Sequence, residues 1–199
     1  MRTRSSHQSV NLSRTRPSHR ATRRAVVEVV EPRLLMATFT VTSTANSGAN
    51  TLRQAIINAN ATTAADNILF NISGSGVKTI SPTTPLPAIT QPVTIDGRSQ
   101  PSYTTTPVIQ LSGASAGANA DGLTIAASGC FVLGLAINRF SDDGIDVESG
   151  NDNWFALNHV GTDVTGTSDL GNGDCGMEVS SSDSYRSRTD SWNRTIARR

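Results

Sequence analysis

The sequence predicts an all-β fold, a right-handed parallel β-helix spanning residues 38–180 with one capping helix near its N-terminal end. Three observations lead there. First, a five-residue string recurs: Asp121-Gly122-Leu123-Thr124-Ile125 returns as Asp143-Gly144-Ile145-Asp146-Val147, and again as Cys175-Gly176-Met177-Glu178-Val179. Second, Phe131-Val132-Leu133-Gly134-Leu135-Ala136-Ile137 aligns with Trp154-Phe155-Ala156-Leu157-Asn158-His159-Val160 at an offset of 23 residues, close to the 22 that separate Leu123 from Ile145. Third, aromatics make up only 5% of the chain, while Gly counts 16 and Ser, Thr and Asn are plentiful. That composition suits many short strands joined by tight turns. A period of this length is one turn of a three-faced solenoid, whose strands stack at about 4.8 Å. A leucine-rich repeat would need a Leu-x-x-Leu-x-Leu frame that is missing here. A β-sandwich would not explain in-register repeats.

Taken in order, residues 1–37 read as a disordered basic leader or sorting segment, rich in Arg and Ser. Phe39-Thr40-Val41-Thr42-Ser43-Thr44 alternates like a strand, and Asn46-Ser47-Gly48-Ala49-Asn50 reads as a turn. Residues 51–61 read as a helix, because Leu52, Ala55, Ile56 and Ala59 share one face. Thr51 and Gln54 have the spacing of a capping box. An apolar-faced helix at this place can cover the open end of a β-helix and block edge pairing. Short apolar strands follow around Ile68, Ile80, Val93 and Ile109, punctuated by Gly and Pro. Within the repeats, side-chain alternation predicts inward stacks of Leu123, Ile145 and Met177, and of Ile125, Val147 and Val179. Thr124, Asp146 and Glu178 then face outward on one ladder. The last interval is longer, and residues 161–173 are predicted to form an inserted loop. Residues 181–199 carry five arginines and no apolar periodicity. They are expected to be a disordered basic tail outside the fold, and a frameshift or premature stop in a longer repeat gene would explain the abrupt change.

Two segments carry a family resemblance. Val26-Val27-Glu28-Val29-Val30-Glu31-Pro32-Arg33-Leu34-Leu35-Met36 resembles the LEPR-XLL segment at the start of large exported proteins of planctomycete bacteria, with Val30 in place of the first Leu. The stretch from Phe39 through Ala61 and Asp66-Asn67-Ile68-Leu69-Phe70, together with the later repeats, is similar to the start and body of the CSLREA type of bacterial β-helix surface protein. The resemblance spans residues 39–179. It implies secretion or display at the cell surface, a repeat solenoid longer than this chain, and an adhesin-like role.

The net charge of +1 hides a division. Residues 37–182 hold four bases, Arg53, Lys78, Arg98 and Arg139, against twelve acids, a formal −8. An acidic body argues against nucleic acid as a partner, since phosphate contacts need clustered Lys or Arg. No apolar run approaches the ~20 residues of a membrane-spanning helix, and no conventional signal-peptide core is visible. Cys130 and Cys175 fit no zinc or redox spacing, and their even number leaves both a disulfide and two idle thiols open.

The outward pair Asp146 and Glu178, with Asp163, Asp169 and Asp174 near or within the inserted loop, forms a candidate calcium set, because stacked carboxylates repel unless solvated or bridged by a cation. The rival reading is a solvated acidic face. An enzyme alternative rests on Asp142, Asp143 and Asp146, since glycoside hydrolysis needs two carboxylates on one groove. Asp142-Asp143 matches one element of the pectinase-type pattern, whose Gly-His-Gly and Arg-x-Lys elements are absent; Gly161-Thr162-Asp163 is only a partial look-alike of its Asn-Thr-Asp element. A lyase would need an Arg or Lys base, and Lys78 is the sole lysine. His159 reads as an ordinary repeat position, Trp154 and Phe155 as core or turn-stacking residues, and Asn138, Asn153 and Asn158 as partners for corner backbone groups. The favoured function is a non-catalytic extracellular module, structural or adhesive, with a polysaccharide or another surface protein as partner. The alternative is a carbohydrate-active β-helix lyase or hydrolase.

Overall fold

The computed structural model describes residues 35–180, together with the backbone of two short strands beyond them. The body is a parallel β-helix of about five turns. The first turn holds β1 (Thr38–Val41) and α1 (Leu52–Asn60); the second holds β2 (Asp66–Phe70) and β3 (Lys78–Ile80). Each later turn visits all three faces: β4 (Val93–Asp96), β5 (Ile109–Ser112) and β6 (Leu123–Ala126); then β7 (Phe131–Leu133), β8 (Leu135–Asn138) and β9 (Ile145–Ser149); then β10 (Trp154–Ala156), β11 (His159–Val160) and β12 (Met177–Val179). Two further strands are β13 (Arg186–Arg188) and β14 (Ile196–Arg198). The first sheet runs β1-β2-β4-β7-β10-β13, the second β3-β5-β8-β11, and the third β6-β9-β12-β14, all parallel. In the second turn Ile89 alone holds the third-sheet place, bridging to Ile125.

The core is a set of inward ladders. On the first sheet Ile68, Ile95, Val132 and Phe155 stack in register, and on the second Ile80, Leu111, Ile137 and Val160 do the same. On the third sheet the two predicted stacks stand in register and buried, Leu123–Ile145–Met177 and Ile125–Val147–Val179. Enclosing such a side chain contributes about 1.5–3 kcal/mol. Gly122 and Gly144 precede the third-sheet strands because adjacent turns touch there. A Cβ on Gly122 would lie 2.3 Å from the Gly144 carbonyl oxygen, and one on Gly144 would lie 2.4 Å from Val160 Cγ1.

The helix is where its apolar pattern puts it, with Leu52, Ala55, Ile56 and Ala59 buried. The Thr51 hydroxyl accepts from the Gln54 N–H at 3.3 Å. The reciprocal half of the expected capping box is replaced: the Gln54 amide donates along the helix to Asn58 Oδ1 at 2.9 Å. Arg53 pins the helix to the next turn, donating to the carbonyls of Pro85 and Thr84 at 2.7 Å each and to Asn46. Asn60 completes the clasp, giving its amide to the Ala88 carbonyl and accepting from the Thr90 N–H. The helix thus lies over the end of the second turn, as an end cap should.

Asparagines at or near the corners satisfy backbone groups of the neighbouring turns. Asn153 Oδ1 accepts from the Cys130 N–H at 2.8 Å, and Asn158 Oδ1 from the Leu135 N–H at 3.0 Å. Asn158 and Asn138 also donate, to the carbonyls of Val132 and Thr162. Cys130 and Cys175 are both buried and precede strands of different sheets, and no disulfide joins them. The leader lies outside the described residues except for its last three. Most of 181–199 also lies outside them. The two described pieces of that tail, β13 and β14, pair in register with β10 and β12. Backbone pairing needs an open strand edge rather than apolar periodicity, and β10 and β12 supply one.

Candidate functional site

The chemistry concentrates where the third sheet meets its leading corner. Strand alternation turns Thr124, Asp146 and Glu178 outward as rung neighbours. The Asp-Gly corners before β6 and β9 add Asp121 and Asp143 beside them. Asp143 is nearly enclosed, at 3% exposure. Its Oδ1 accepts from the Cys175 N–H at 2.7 Å, just as Asp121 Oδ1 accepts from the Asp143 N–H at 3.0 Å. Each of these aspartates therefore ties its turn to the next one along.

Three overlapping groups follow, each with its ligand atoms within 4.8 Å of one another. Asp143, Asp146 and Glu178 form one, Asp121, Asp142 and Asp143 another, and Asp143, Asp174 and Cys175 the third. Asp146 Oδ1 is closed off from solvent and receives no hydrogen bond. The single ion pair among the described residues, Asp96 with Arg98 at 2.8 Å, lies on the first sheet. Enclosure pushes Asp146 up to about 7, and the charges of Asp121, Glu148, Asp143 and Glu178 push the same way. Enclosure also pushes Asp143 up to about 6 against the opposing pull of the Cys175 N–H, with Glu178 and Asp121 adding to the rise. Asp121 is raised too, first by enclosure, with the Asp143 N–H opposing.

Of the five proposed calcium ligands the fold brings Asp146 and Glu178 together, places Asp174 in the neighbouring group, and puts Asp163 and Asp169 in none of the three. The loop consumes those two carboxylates itself. Asp163 Oδ1 accepts from the N–H groups of Thr167 and Ser168 and both its oxygens face the Thr165 hydroxyl, which lowers its pKa, the Ser168 N–H most of all. Asp169 accepts from the Gly171 N–H. The proposed catalytic trio Asp142, Asp143 and Asp146 is split between two groups that share Asp143. Sequence reasoning missed Asp121 as a member. Its signal was available, since it opens the first copy of the repeat as Asp143 opens the second. The Asp143, Asp146 and Glu178 donor set is all oxygen and fits a hard cation such as calcium, which takes six to eight oxygens and would draw the rest from water.

A second surface lies on the outer face of the first sheet. Phe131 and Trp154 pair in register, in one ladder with Thr94 and Asn67. Phe131 is 40% exposed and Trp154 half-buried, while Phe155 is in the core. The expectation that Trp154 also belongs to the core or a turn is corrected by alternation: two successive strand residues point to opposite faces. Leu133 lies one ladder over, beside Asp96. His159 faces outward on the second sheet with its Nδ1 at 3.0 Å from the Val164 carbonyl.

No protein-family model matches the chain, and no curated protein matches it.

Proposed function

We propose that the chain is a non-catalytic β-helix module of the cell surface or exterior, structural or adhesive, whose first sheet presents a binding face to a glycan. The observation that carries this reading is the outward rung pair Phe131 and Trp154, in one ladder with Thr94 and Asn67, whose hydroxyl and amide groups lie on the same sheet. Aromatic faces pack against the C–H faces of sugars while neighbouring polar groups meet hydroxyls, which is how concave and flat sites divide the work between apolar bodies and a few placed polar groups. The secreted location rests on the resemblance of residues 26–36 and 39–179 to exported planctomycete proteins. The test is retention of the purified chain on a panel of immobilised neutral and acidic polysaccharides, beside Phe131→Ala and Trp154→Ala. Retention lost in both variants, with folding intact by circular dichroism, supports the reading. Equal retention by all three proteins rejects this face.

The enzyme alternative is favoured by one observation: a buried carboxyl raised to about 6, Asp143, stands within 4.8 Å of Asp121 and Asp142, and a raised carboxyl is what a general acid requires. Release of reducing ends or unsaturated products, lost in Asp143→Ala and Asp146→Ala, would establish it in place of the first reading. Against it stands the use of Asp121 and Asp143 as backbone acceptors between turns, a structural task that explains their burial. Calcium belongs to the module reading as a clamp between β9 and β12, held by Asp143, Asp146 and Glu178.

A further inference from the structure

We draw no further inference here: the strongest candidate, the cavity of about 630 Å³ that the 161–173 loop forms beside Val160 and Gly176 at the last described full turn, carries nothing because the structure does not show what covers it.

Discussion

A carboxyl walled off from water, among others of its own charge, holds its proton longer than it would in an unfolded chain. Asp146 at about 7 and Asp143 at about 6 both stand above the ordinary 3.8. Between about pH 4 and pH 7 the folded protein therefore binds more protons than the unfolded one, and stability falls as pH rises through that window and levels off above it. Asp163, whose pKa is lowered, acts in the opposite sense but below pH 4. In calcium-free buffer the thermal midpoint should be highest near pH 4 and drop towards pH 7.5, and Asp146→Asn should flatten the profile. A wild-type midpoint that holds constant or climbs over this range would refute the assignment. At pH 8, above the values of Asp143 and Asp146, millimolar calcium should raise the midpoint relative to chelator by mass action on the folded state. Glu178→Gln should abolish that rise; a rise that survives the substitution places the ion elsewhere.

At the scale of the element, the third sheet depends on glycine as much as on its apolar stacks. Gly122→Ala would force a methyl group against the Gly144 carbonyl at 2.3 Å, a backbone atom that cannot rotate aside. The strand should be pushed off its neighbour, with a loss of about 1–3 kcal/mol measured by urea unfolding. Ile145→Ala, in the middle of its ladder and fully buried, should cost about 2–5 kcal/mol. If either variant unfolds at the wild-type midpoint, the register is wrong. This register was readable from the sequence because the repeat copies each strand with its corner glycine, so each side chain's partner can be counted off. The helix was readable for the same sort of reason, an apolar face at a period that no strand shows. Other features were not, and each has a cause. Trp154 and Phe155 looked alike by chemistry, and only their parity on β10 separates them. Asp163 and Asp169 looked like free ligands because spacing along a chain says nothing of the N–H groups that a tight loop turns towards its own acids. Asp121 was overlooked because it is one residue in a repeat whose other copies drew notice through neighbouring acids.

The whole molecule is a stack in which each turn touches little beyond its neighbours, so its ends are where it opens. The N-terminal end is held by the Arg53 and Asn60 clasp. Arg53→Ala removes its hydrogen bonds to Asn46, Thr84 and Pro85. Amide exchange should then speed up first in α1, β1 and β2, while β8 and β9 stay protected at early times. Uniform acceleration along the chain would mean that the solenoid opens as one block. The corner bonds run in both directions along the stack. Asn153, Asn158 and Asn172 each receive an N–H from the turn before, while Asp121 and Asp143 each receive one from the turn after. A turn that carries its own corner Asn and its own Asp-Gly thus brings one acceptor to each of its joints, the Asn towards the turn before and the Asp towards the turn after, so two copies side by side hold both halves of the joint between them. Such a segment is a self-contained word in a genetic sentence: copied in tandem, it reads correctly beside itself. Crossing-over between misaligned repeats could lengthen or shorten the rod by whole turns, about 4.8 Å at a time, without any compensating mutation at the seam.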